Sequence, residues 1–195
     1  PRSNGINAIT IKDDDELLEA KLTTGNSQVL IAVKSGKCIR FEEGKTRPMG
    51  RNASGVRGIR LKDSSDEVIG MISVNDMDSD ILVVSENGYG KRSSLEDYRI
   101  TNRGGKGVKT ISITDKTGNL VSIKNVSDGD DLMIINKSGI AIRMEVSDLR
   151  VMGRATQGVK LINIKDNDSI AAVAKVVLEE DEVQDIDNIE VIEEE

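Results

Sequence analysis

Residues 29–41 read VLIAVKSGKCIRF and residues 50–61 read GRNASGVRGIRL. Residues 81–93 (ILVVSENGYGKRS) and 102–113 (NRGGKGVKTISI) repeat that text, as do 132–144 (LMIINKSGIAIRM) and 153–164 (GRATQGVKLINI). Gly36, Gly88 and Gly139 are 52 and 51 residues apart, and so are Gly55, Gly107 and Gly158. Self-similarity at a fixed period is the mark of a repeat architecture. Residues 5–23 (GINAITIKDDDELLEAKLT) match the trailing half of the unit: Ile6 falls where Val159 falls, and Lys12-Asp13 where Lys165-Asp166 fall. The reading is therefore a half repeat over 1–24, then repeats over about 25–76, 77–128 and 129–178. The chain opens mid-repeat and without Met, so we expect a piece of a longer protein.

Within one unit, Val29–Val33 is a β-branched apolar run, Lys34-Ser35-Gly36 a tight turn, and Lys37–Phe41 the returning strand. Glu86-Asn87-Gly88 and Lys137-Ser138-Gly139 repeat the hairpin signal, with glycine where positive φ is needed. After a loop, Val56–Leu61 reads as a third strand and Val68–Val74 as a fourth, joined by Lys62–Glu67 (Asp115–Asn119 in the next unit). Only Asp14–Lys21 approaches a helical stripe. The expected fold is all-β, a propeller-like array of four-stranded antiparallel blades. A blade cannot bury both faces alone, so neighbours must stack. With no Trp, one Phe (Phe41) and two Tyr, the core must be aliphatic.

The 195 residues hold 27 Lys plus Arg against 34 Asp plus Glu, a net charge of −7. Residues 179–195 (EEDEVQDIDNIEVIEEE) contribute ten carboxylates and no Lys or Arg, so residues 1–178 carry +3. Such a tail is expected to be solvated and disordered; the spacing of Val183, Ile186, Ile189 and Ile192 leaves a short docking turn as the alternative. There is no His, which removes Ser-His-Asp and Cys-His mechanisms and imidazole metal sites. Cys38 is alone, so there is no internal disulfide, and a reducing, cytoplasmic setting is expected. No stretch approaches 18 apolar residues and no basic-then-apolar leader is visible, so neither a membrane span nor a signal peptide is expected.

Four columns are basic in all three units: Arg40, Arg92, Arg143; Arg47, Arg99, Arg150; Arg51, Arg103, Arg154; and Arg57, Lys109, Lys160. Lys91 and Lys106 add single charges. On a repeating array these twelve positions form a curved band if they face outward, suited to phosphates of duplex DNA without base reading. The scarcity of aromatics disfavours a single-strand platform. The competing reading is that the columns pair with acids of the next unit, the candidates being Glu42, Glu96, Asp97, Glu145 and Asp148. The motif Arg-x-x-x-Gly-Val-basic occurs at 51–57, 103–109 and 154–160. In its richest copy, Gly104 and Gly105 would let backbone N–H groups approach a phosphate beside Arg103 and Lys106; the alternative is a glycine-tolerant turn. It is not a P-loop, because the Gly-Lys-Ser/Thr ending is missing.

These units resemble the C-terminal domain of the DNA gyrase A protein, a β-pinwheel. The resemblance runs along the whole chain, acidic tail included, and is carried by Met49–Leu61, Asn87–Arg92 and Val151–Val159. The family has a box, Gln-Arg-Arg-Gly-Gly-Lys-Gly. Thr101–Gly107 matches it at five positions, with Thr101 and Asn102 departing, and lies in the penultimate unit rather than the first blade. The resemblance implies a basic rim that wraps duplex DNA, so that a type II topoisomerase introduces negative supercoils with ATP. It implies partnership with the gyrase B protein and the N-terminal part of the gyrase A protein in an A2B2 assembly, near the nucleoid. The catalytic tyrosine, ATP and Mg belong elsewhere in that assembly, and no catalytic residue, cofactor or metal is expected in this chain. The acidic tail would compete with DNA for the rim. Two other readings stay open: the pinwheel of the topoisomerase IV A protein, against which the Arg-Gly-Gly-Lys-Gly run speaks, and a protein-binding propeller scaffold. A propeller enzyme would need converging acids, and Asp13, Asp66 and Asp166 lie in turns.

Overall fold

The computed structural model describes residues 3–165 and 167–177. The acidic segment 179–195, with the expectations placed on it, lies outside the described residues. Eleven strands are present among those described: β1 (Gln28–Val33), β2 (Lys37–Glu42), β3 (Val68–Val74), β4 (Asp80–Ser85), β5 (Tyr89–Ser94), β6 (Val108–Lys109), β7 (Leu120–Val126), β8 (Asp130–Asn136), β9 (Ala141–Glu145), β10 (Val159–Lys160) and β11 (Ile170–Val177). They form three antiparallel sheets in the orders β3-β1-β2-β6, β10-β5-β4-β7 and β11-β8-β9.

The hairpins form where the turn residues demand. Gly36, Gly88 and Gly139 adopt φ of 79°, 79° and 87°, a region open to glycine without steric cost. Strand β1 pairs with β2 so that Val33 meets Lys37 across that turn, and β4 with β5 so that Val84 meets Gly90. Asp14–Lys21 is not helical. It starts in a turn at Asp13-Asp14, with Asp14 at φ 62°, and continues without regular structure. The segment is tied to the following unit, where Glu19 accepts a hydrogen bond from the Met71 N–H of β3.

One expectation needs correction. Val56–Leu61 is not a strand of its own sheet. The equivalent segments β6 and β10 cross to the preceding unit, Cys38 pairing with Val108 and Gly90 with Val159. Each blade is completed by its successor, and the third sheet holds three strands among the described residues. Three repeated bonds fasten the exchange: Thr10, Arg60 and Ser112 donate N–H groups to the carbonyls of Ala53, Gly105 and Thr156, at 3.1, 2.8 and 3.0 Å. Periodicity within one unit cannot reveal an exchange between units, which is why the sequence misassigned these strands.

Strands β3, β7 and β11 pack on one another across units, so they lie at the inner side. Strands β6 and β10 occupy the opposite, outer edges. The core lies between sheets. Leu30, Ala32, Ile72 and Val74 of one unit pack with Ile81, Val83, Ile111 and Ile123 of the next, and Leu82, Val84 and Val126 pack with Leu132, Ile134 and Ile162. Burying each of the valine, leucine and isoleucine side chains among these contributes about 1.5–3 kcal/mol. Phe41 and Tyr98 are buried exceptions to the aliphatic rule, and the Tyr98 hydroxyl is 2.6 Å from Thr110 Oγ1.

Gly107, immediately before the crossing strand β6, has φ 68°, and a Cβ there would stand 2.6 Å from the Cys38 carbonyl oxygen. Gly107→Ala is therefore expected to cost about 2 kcal/mol, read as a lowered denaturant midpoint at unchanged m-value. An unchanged midpoint would show that the crossing is not held as described.

Candidate nucleic-acid interface

The first basic column is structural. Arg40 and Arg92 are each 8% exposed. Arg40 donates to the carbonyls of Leu95 (2.7 Å) and Tyr98 (3.0 Å) of the next unit and to Gln28 Oε1 (2.6 Å). Arg92 is paired with Asp128 and lies 3.6 Å from Asp80, while Arg143, more exposed, meets Asp131 at 2.5 Å. The partners Gln28, Asp80 and Asp131 each lie twelve residues before their arginine. That constant offset was readable in the sequence and was missed. The acids weighed from the sequence, Glu42, Glu96, Asp97, Glu145 and Asp148, form no ion pair with the columns among the described residues.

Lys91 must also leave the phosphate-binding set. It is fully buried, and its Nζ donates to the Gly153 carbonyl at 2.6 Å, holding the next unit's loop. Burial pushes its ammonium down to about 8 from an ordinary 10.5. The unfolded chain keeps this proton up to about 10.5 and the folded chain releases it near 8, so Lys91 makes stability rise between these values. Buried Tyr98 and Cys38, whose protons desolvation holds more tightly, act in the opposite direction. The measurement is therefore a difference. The stability of the chain relative to Lys91→Met is expected to increase from pH 8 to 10.5; a pH-independent difference would contradict the buried position.

The third column has two roles. Arg103 donates to the carbonyls of Lys45 (3.0 Å) and Arg57 (3.1 Å), and Arg154 to those of Asp97 (3.0 Å) and Lys109 (2.8 Å). Each guanidinium ties its loop to the preceding unit with two of its five donors. Arg51 is exposed, with no such tie among the described residues. The glycine loop is more turn than phosphate cradle: the Gly104 N–H is committed to the Gly58 carbonyl, and Gly105 offers its carbonyl to Arg60. Thr101 binds the Arg40 carbonyl through its N–H at 2.8 Å.

The second and fourth columns differ. Arg47, Arg99 and Arg150 are exposed, as are Arg57, Lys109 and Lys160, and so is Lys106. None of these side chains has an ion pair or hydrogen bond among the described residues. Lys109 and Lys160 stand on the outer strands β6 and β10. Arg99 and Arg150 precede the residues that bridge onto the outer side of the preceding unit, Ile100 to Arg40 and Val151 to Arg92. Arg103 brings the loop carrying Lys106 against the backbone of Lys45 and Arg57. These seven cations thus lie toward the outer edge, while Asp80 and Asp131 of the sheets face Arg92 and Arg143 of the first column. No cluster of three or more Cys, Asp or Glu able to hold a metal occurs among the described residues. No described helix is long and apolar enough to cross a membrane.

The profile of the DNA gyrase C-terminal domain, beta-propeller, matches residues 1–24, 28–75, 79–127 and 130–176, one segment for each repeat. The chain belongs to this family. Its relatives include the DNA gyrase A protein of Staphylococcus epidermidis, 46% identical over 179 residues, covering 91% of this chain and 20% of the relative. The DNA gyrase A protein of Staphylococcus aureus is 47% identical over 181 residues, covering 92% and 20%. The chain therefore spans one fifth of the length of these curated relatives. A solved DNA gyrase A C-terminal domain superposes with a TM-score of 0.80 at 28% identity, covering 89% of this chain and 59% of that one. The C-terminal domain of DNA topoisomerase IV, at 22% identity and a TM-score of 0.82, covering 87% of this chain and 53% of that one, shares the fold.

Proposed function

We propose that this member of the gyrase C-terminal domain family binds and bends duplex DNA on its outer edge, as the wrapping part of a gyrase A protein. The observation that carries the reading is the threefold recurrence of an exposed, unpartnered arginine at Arg47, Arg99 and Arg150, beside Arg57, Lys109 and Lys160. Six such cations on a curved edge suit phosphate contacts, which fix a duplex without reading its sequence. In the whole enzyme the wrapped segment would be presented for strand passage, biasing a type II topoisomerase toward negative supercoils. DNA cleavage would belong to the N-terminal part of the gyrase A protein, and ATP and Mg to the gyrase B protein, within an A2B2 assembly in the cytoplasm at the nucleoid. No residue of this chain is assigned to catalysis. Names of relatives and the Arg103–Gly107 run support gyrase over topoisomerase IV.

The test is a titration of labelled duplexes of unrelated sequence at several salt concentrations. Equal affinities are expected, with a log–log salt slope of about −5 from six phosphate contacts at ~0.9 each. A slope near zero, or dependence on one sequence, would overturn the reading.

A further inference from the structure

Exposed apolar side chains occur at several places among the described residues. Ile9, Ile11, Leu17, Leu18 and Leu61 lie around the open groove at the half-repeat end of the array. Ile100 and Val151 do not belong there. Each sits at a seam with both flanking units in place, bridging by backbone to Arg40 or Arg92, and yet remains 46% and 49% exposed. Stacking of repeats does not cover them. They occupy equivalent positions, each directly after an unpartnered arginine, Arg99 or Arg150, and the first unit has exposed Pro48 after Arg47. The sequence singled out the arginines and passed over these neighbours.

We propose that Ile100 and Val151, with Pro48, are apolar wedges that press into the duplex at intervals of one unit and localise its bending. This deepens, and rests on, the reading of the outer edge as a DNA surface. The occupant is argued from charge: Arg99, Arg150, Lys109 and Lys160 flank the apolar residues and would hold phosphates on either side. Apolar side chains set among cations unstack base steps and kink the helix. Ile and Val are β-branched, with χ1 restricted, and Pro is cyclic, so each presents a stiff shape whose ordering costs little entropy. The backbone bridges to Arg40 and Arg92 anchor the wedges to the buried parts of the preceding sheets. The cations supply affinity; the wedges decide where the helix bends.

The test compares end-to-end energy transfer in a doubly labelled duplex of about five helical turns, long enough to follow the curved edge, at saturating chain and fixed salt. The chain, Ile100→Ser with Val151→Ser, and the conservative Ile100→Val with Val151→Ile are measured, each with its salt slope and thermal midpoint. The serine pair is expected to keep the midpoint and the salt slope while losing about half of the bend-dependent change in transfer, and the conservative pair to retain it. Undiminished bending by the serine pair, with binding intact, overturns this inference alone. If the unmodified chain shows no salt-dependent binding, the DNA reading beneath it falls as well.

Discussion

Replacing Arg47, Arg99 and Arg150 together by alanine is expected to flatten the salt dependence of duplex binding by about 2.7 units, ~0.9 for each phosphate released. These side chains are exposed and have no ion pair or hydrogen bond among the described residues, so thermal stability should stay within about 0.5 kcal/mol of the parent for each change. The separation of the two readouts is the point. A loss of affinity with an unchanged slope would mean that other groups hold the phosphates. A loss of stability would mean that the arginines are tied into the fold. Because phosphate contacts are not sequence-specific, the loss should be uniform across duplexes.

Arg40→Ala should do the reverse. The Arg40 guanidinium is buried and bridges one unit to the carbonyls of Leu95 and Tyr98 in the next. Charge-assisted hydrogen bonds contribute about 1.5–3 kcal/mol each, and removing the donor strands two carbonyls at a packed seam. The expected loss is about 3 kcal/mol, or roughly 6–12 °C in midpoint for a chain of this size, with the salt slope unchanged wherever the chain is still folded. A variant that kept its stability but lost a unit of salt slope would return Arg40 to the phosphate-binding set. The pair of experiments divides the basic columns into those that join blades and those left for a polyanion.

The blades, unlike this division of the columns, were legible in the sequence. The period of 51–52 residues, the hairpin glycines and the apolar runs of β1, β4 and β8 pointed to the blades, because these features act within a unit. Two things were not legible. The exchange of β6 and β10 is a contact between units, and identical repeats look the same whether a strand stays home or crosses. Charge identity alone did not separate Arg40, held by Gln28 and two carbonyls, from exposed Arg47; both columns are basic in all three repeats. The offset of twelve residues linking Gln28, Asp80 and Asp131 to their arginines carried that information, since two strands of a hairpin place such positions diagonally opposite. Lys91 looked like one more cation of the rim. Its equivalents in the other units are Ile39 and Ile142, an apolar position in both, and that contrast already spoke for burial.

The most direct measurement of the central claim is chemical labelling of lysine amines, read residue by residue with and without saturating duplex DNA. Lys106, Lys109 and Lys160 on the outer side are expected to be protected by the duplex. Lys34, paired with Glu67 beside β3, and Lys175 on β11 should label equally in both states. Protection of the inner lysines with the outer three left reactive would place the DNA on the wrong side of the sheets and contradict the account.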